Sequence, residues 1–184
     1  MNNKPSINWF LAFIAVLLQV VLLLSIQARK ELSLRSGKRI TVKIIPVDPR
    51  SIFRGDYIIL NYKFSRLDLK KVKHDKASYN RGQKVFVKLS KINDEWKAVE
   101  INAKFPGDTG TNEIILRGSI SGWPRGASVN IVYGIESYFV PEGKGKYIEE
   151  KITGKRIKAE LSIDPKGYAS VCRIFIDEKE VKFR

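Results

Sequence analysis

From Lys38 onward, apolar and polar residues alternate in short runs, and ahead of them lies one long apolar block. Alternation at period two is the mark of half-buried strands, and an uninterrupted apolar block is the mark of a membrane helix. Ile7 to Ile26 (INWFLAFIAVLLQVVLLLSI) holds no charged residue, and only Asn8, Gln19 and Ser25 are clearly polar. As a helix it would be about 30 Å long, the thickness of a bilayer's hydrocarbon core. The expected element is an uncleaved signal-anchor, a single transmembrane helix with Trp9 near the interface. The alternatives are a cleaved signal peptide, for which Ile26-Gln27-Ala28 is a poor cleavage site, and a buried helix. Gln27 to Leu34 can prolong the helix, and Ser36-Gly37 stops it.

The rest of the chain predicts strands. Lys38 to Ile45 (KRITVKII) alternates, and Tyr57 to Phe64 is apolar on much of both faces. Phe64 to Asn80 is polar, rich in lysine and without a clear period, so an exposed connection is expected there. Gly82 to Leu89 and Trp96 to Ala103 form the best hairpin, turned at Ile92-Asn93-Asp94-Glu95. Phe105 to Asn112 is a loop by composition. Glu113 to Ile120 and Ser128 to Tyr133 are strands around a turn at Gly122-Trp123-Pro124-Arg125-Gly126, and Tyr147 to Ile152 predicts one helical turn. Ile157 to Ile163, Gly167 to Ile176 and Glu180 to Phe183 follow, with turns at Asp164-Pro165-Lys166-Gly167 and Asp177-Glu178-Lys179. Short strands with turn chemistry between them predict an all-β fold, a small barrel or sandwich of about 8 strands behind the N-terminal helix. The expected division is residues 1–30 as anchor and flanks and 31–184 as the β-rich domain.

Two stretches are more densely specified than the rest. The first is PVDPRSIFRGDYIILNY, Pro46 to Tyr62, where prolines fix the backbone and Gly55-Asp56 offers a tight turn before a strand. The second is YGIESYFVPEGKG, Tyr133 to Gly145. Together they resemble the two hallmark stretches of the bacterial GDYXXLXY family, named for the pattern made here by Gly55, Asp56, Tyr57, Leu60 and Tyr62. The resemblance covers essentially the whole chain. It implies a protein of the bacterial cytoplasmic (inner) membrane, held by one span, whose relatives often occur beside or fused to multi-span membrane proteins. It implies no reaction and no cofactor.

Charge adds partners without changing the fold. Thirty-four Lys and Arg against 19 Asp and Glu leave a net charge of +15, so an anionic surface is an expected partner. Lysines dispersed from Lys63 to Lys91 with few aromatics between them are unlike a single-strand nucleic-acid platform. Anionic headgroups beside an anchored protein rank above nucleic acid. Counting cations around the apolar block, Lys4 before it and Arg29, Lys30, Arg35, Lys38 and Arg39 after it, places the domain in the cytoplasm. Long domains behind such a segment cross regardless of charge, and the favoured side is extracytoplasmic, with the orientation open. The single cysteine, Cys172, excludes an intrachain disulfide and a cysteine-rich metal site.

Candidate chemistry gathers on the two stretches. Asp48, Arg50, Arg54, Gly55, Asp56, Tyr57 and Tyr62 on the first, with Tyr133, Glu136 and Glu142 on the second, are the binding residues to test. The carboxylates either form an acidic site, or Asp48 and Asp56 cap their own turns while Arg50 and Arg54 pair with Glu136 or Glu142, and the second is favoured because guanidinium and carboxylate match so well. Either way the two stretches are expected side by side. Tyr57, Tyr62, Tyr133, Tyr138 and Phe139 either line a groove or belong to the core, and core is favoured. Arg54 to Ile58 also resembles the Gly-Asp strand start of membrane-bound signal peptidases. There the nucleophilic serine precedes the glycine by eight residues, a position held here by Val47, and no lysine stands where its base would be. A non-catalytic binding or assembly domain is the expected function, with a membrane-associated, peptidase-like hydrolase as the alternative. No catalytic residue, metal or cofactor is assigned.

Overall fold

The computed structural model describes residues 9–45, 53–54, 57–107, 109–141 and 156–182. Helix α1, Trp9–Ser36, runs to the predicted Ser36-Gly37 stop, and the apolar side chains described on it from Leu11 to Leu24 are exposed. Among the described residues, no helix is long and apolar enough to cross a membrane. The strands are β1 (Lys38–Ile45), β2 (Phe53–Arg54), β3 (Tyr57–Ile59), β4 (Asn61–Tyr62), β5 (Arg66–Asp68), β6 (Lys73–His74) and β7 (Lys84–Ile92). They continue with β8 (Glu95–Asn102), β9 (Glu113–Arg125), β10 (Ser128–Val132), β11 (Ser137–Phe139), β12 (Ile157–Ile163), β13 (Ala169–Ile176) and β14 (Lys179–Glu180). The domain is mostly β, as expected. The described residues hold fourteen strands in place of about eight, because several are fragments of two or three residues that switch sheets.

Three sheets result, with orders β14-β13-β12-β1-β4, β5-β10-β9-β7-β8-β6 and β11-β3-β2. Alternation decides which side of each strand is buried. Ile40, Val42 and Ile44 on β1, with Ile157, Ala159, Leu161 and Ile163 on β12, face one apolar cluster. Val85, Val87 and Leu89 on β7 and Leu116 and Ile120 on β9 meet them from the second sheet. Strand β1 crosses the ends of the second sheet's strands. Lys38 Nζ donates to the carbonyls of Thr111 and Glu113 (2.9 and 3.2 Å) at the start of β9, and further along Lys43 pairs with Glu95 at the start of β8. The turn of the β12–β13 hairpin lies at the Lys38 end, and its Gly167 carbonyl accepts from the Arg117 amide of β9 at 2.8 Å.

The β7–β8 hairpin turns where expected, and Asn93 and Asp94 both take positive φ (50° and 60°), the backbone that a two-residue hairpin turn requires. Asp177 and Glu178 repeat the device between β13 and β14. Three expectations are corrected. The strand Tyr57 to Phe64 breaks at Leu60, because its first half pairs with β11 and its second with β1. The connection Phe64 to Asn80 is not simply exposed. It carries a short 3-10 turn at Lys63–Ser65 and strands β5 and β6, and it buries Phe64, Leu67, Leu69 and Tyr79. The turn expected at Gly122 to Gly126 lies largely inside β9, where an irregular register opposite β10 absorbs Pro124. The helical turn expected at Tyr147 to Ile152 lies outside the described residues.

Two outcomes follow. A Cβ at Gly118 would stand 2.6 Å from Ile131 Cγ2 and 3.0 Å from both Tyr133 Cδ1 and the Val132 carbonyl. Gly118→Ala therefore lowers stability by about 1–3 kcal/mol, read as an earlier urea midpoint with unchanged slope. Glu95 joins β8 to β1 and to the Lys63–Ser65 turn, since Lys43 and Lys63 both reach its carboxylate. Hydrogen bonds from Lys43 and then Lys63, followed by their charges, hold its pKa down from 4.5 to about 2. A depressed carboxylate supplies stability that is complete above its unfolded value and is lost as pH falls through the folded one. Thermal unfolding followed from pH 5 to pH 2 therefore falls less steeply in Glu95→Gln than in the wild type across the window set by those two values.

Candidate functional site

The two motif stretches lie side by side, joined by backbone. Strand β11 pairs antiparallel with β3 in the register Ser137↔Ile59, Tyr138↔Ile58 and Phe139↔Tyr57. The Leu60 amide extends the ladder by donating to the Glu136 carbonyl at 2.8 Å. Leu60, Ile135 and Val140 are fully buried beneath it, so sliding the register by one residue would turn an apolar side chain out to water.

Two tyrosines lock this register reciprocally. The Tyr62 hydroxyl donates to the Ile135 carbonyl at 2.8 Å, and the Tyr133 hydroxyl donates back to the Phe64 carbonyl at 2.7 Å. Phe64 sits between the rings, stacked on Tyr62 (centroids 5.1 Å apart) and edge-on to Tyr133 (5.5 Å). Burial pushes both phenol pKa values well above their ordinary range, and the nearby Glu136 charge adds to the shift. Both phenols act here as hydroxyl donors. They are core residues, as favoured from the sequence, and not part of a groove.

Glu136 has a role in its own loop. Its Oε1 accepts from the Tyr133 amide (2.6 Å) and its Oε2 from the Gly134 amide (2.8 Å). Gly134 takes φ +84°, a backbone that side chains resist, and this turn aims successive amides at one carboxylate. The glutamate caps its own loop. Strand pairing and the tyrosine bonds bring the two stretches together, and the expected pairing of Arg50 or Arg54 with Glu136 or Glu142 falls on side chains outside the described residues. Asp48, Arg50, Gly55, Asp56 and Glu142 lie outside the described residues, and so does the Arg54 side chain. Among the described residues, no group of three His, Cys, Asp or Glu comes together to hold a metal.

What remains on the outside is aromatic. Tyr57 (49% exposed) and Phe139 (61% exposed) face each other across β3 and β11, edge to face with centroids 5.4 Å apart. The core placement expected for Tyr57 and Phe139 is corrected, since both rings are exposed at the edge-to-face pair. Phe64 was not among the candidates drawn from the sequence; its signal was its spacing of two from Tyr62, which puts both on one side of an extended chain.

Removing the cap strands two amides. Glu136→Ala is expected to cost about 1–3 kcal/mol, whereas Glu136→Gln keeps one acceptor and costs less. Chemical unfolding of the two variants checks the order.

Searches of curated proteins and of solved structures each find no match for this chain. The family model described as GDYXXLXY protein matches residues 19–174, from within α1 into β13, so that both motif stretches fall inside it, and of the strands only the end of β13 and β14 lie beyond it. The chain belongs to the GDYXXLXY family.

Proposed function

We propose that this is a membrane-anchored, non-catalytic assembly domain that docks on a multi-span membrane protein through the paired motif strands. The observation that carries the reading is the Tyr57–Phe139 pair. Two large rings stand exposed on the small sheet, in contact with each other, and on strands whose register is fixed from beneath by Tyr62 and Tyr133. Rigid exposed aromatics are the residues that most often anchor an interface, because they bury large area at little entropic cost. Among the described residues, strands β11 and β2 also end the order of their sheet, the positions at which a partner strand adds.

Support for the anchor comes from α1, whose described apolar side chains from Leu11 to Leu24 face outward. Such a surface is costly in water and fits lipid. The proposed location is the bacterial cytoplasmic membrane with the β domain on its outer side. A hydrolase using these loops is disfavoured by Glu136, whose carboxylate is already engaged by two amides.

The test is purification of the full chain from native membranes in mild detergent, beside a Tyr57→Ser, Phe139→Ser double variant. A stoichiometric multi-span protein is expected with the wild type, and its retention should drop roughly thirtyfold in the variant, the effect of losing about 2 kcal/mol at an aromatic hot spot. Thermal unfolding of the variant should match the wild type. A folded variant that retains the partner overturns the proposed interface.

A further inference from the structure

Charge is compensated very unevenly over this domain. On β1, β12 and β13 the cations have partners: Arg39 and Arg173 share Glu160, Lys158 meets Glu178, and Lys43 pairs with Glu95. The segment from Arg66 to Lys84 is built differently. Its two carboxylates are spent locally, Asp68 on the Lys70 amide (3.0 Å) and Asp75 on the Tyr79 hydroxyl and the Ala103 amide (2.8 and 2.9 Å). Among the described residues, Lys70, Lys71, Lys73 and Lys76 are exposed and meet no carboxylate at ion-pair distance.

The β9–β10 turn lies against this segment, and the most exposed aromatic among the described residues of the β domain, Trp123, is on the strand that leads into it. The Leu69 amide donates to the Ala127 carbonyl at 2.8 Å, and Asp68 pairs with Ser128, which sets the β9–β10 turn against the lysine segment. Trp123, 75% exposed, precedes that turn in the irregular stretch of β9. The surface between Leu69 and His74 is a broad, shallow hollow, without walls to grip a particular side chain.

We infer that Trp123 with Lys70, Lys71 and Lys73 forms a second membrane contact, separate from the motif strands, that lays this edge of the domain on anionic lipid headgroups. Three features favour a bilayer over a protein. Cations held on flexible stems suit a fluid anionic surface, and each strengthens adsorption roughly fivefold. An indole prefers the headgroup depth. A shallow face recognises charge density and not shape. Together with an apolar helix, the patch makes a two-signal attachment, which holds the domain in a fixed orientation where a single tether would leave it free to swivel. The contact rests on α1 being in the same bilayer.

The experiment places the full chain in nanodiscs of phosphatidylcholine alone and of phosphatidylcholine with phosphatidylglycerol. Incorporation into the neutral discs tests the helix by itself. Amide exchange over residues 69–74 and 121–127 then tests the patch. Exchange there is expected to slow by roughly tenfold or more in the anionic discs, and the effect should vanish in high salt, as screening of surface charge requires. A Lys70→Glu, Lys71→Glu, Lys73→Glu variant and a separate Trp123→Ser variant should each lose it while the rest of the exchange map stays wild type. Equal exchange in both kinds of disc overturns the inference. So does retention of the effect in the charge-reversed variant, or salt-sensitive capture of an acidic protein by these lysines with no response to lipid.

Discussion

Two buried hydroxyls hold the two halves of the motif together. Tyr62 donates to Ile135 and Tyr133 donates to Phe64, bonds that span 73 and 69 residues of sequence and run in opposite directions between the same two segments. Neither phenol has access to water, so each bond, if broken, would strand a donor and a carbonyl together, which costs far more than an exposed hydrogen bond returns. That asymmetry makes the pairing of β3 with β11 close to obligatory. The buried Leu60, Ile135 and Val140 fix the same register by burial, and the cap of Glu136 fixes the loop that feeds it. The exposed aromatic pair is therefore displayed on a base with several independent constraints.

The rest of the fold serves to bring those segments to one place. Strand β1 leaves the helix and crosses the ends of the second sheet, and after its last residue the chain enters the first motif stretch. The second motif stretch follows β10, whose sheet is joined to β1 through the salt bridges of Glu95 and the Lys38 contacts. Paired charges accumulate at this junction and along the first sheet, while the lysines beyond β5 are left to solvent. Among the described residues, the unpaired lysines beyond β5 reach further toward an anionic partner than the paired charges do, because paired charges project little field.

Local physics made much of this domain readable in advance. The period-two runs of β1, β7, β9 and β12, the Asn93-Asp94 turn and the helix stop at Ser36 depend on neighbours within a few residues, and all could be placed from the chain alone. The two motif stretches were also recognisable, together with their adjacency and the core character of Tyr62 and Tyr133, though not the exposure of Tyr57. Tertiary structure decided how they meet. Glu136 looked available for an arginine or a proton because nothing in the sequence reveals that Gly134 will turn two amides onto it. Phe64 read as the end of a strand and the start of a polar loop, since its lysine-rich surroundings mask a ring that is buried only when Tyr133 arrives from a distant strand. Tyr57 and Phe139 are ordinary aromatics until an antiparallel register sets them opposite each other. Period and turn chemistry determine which residues are extended and which face is apolar; which extended segments become neighbours is decided by the burial of the whole core at once.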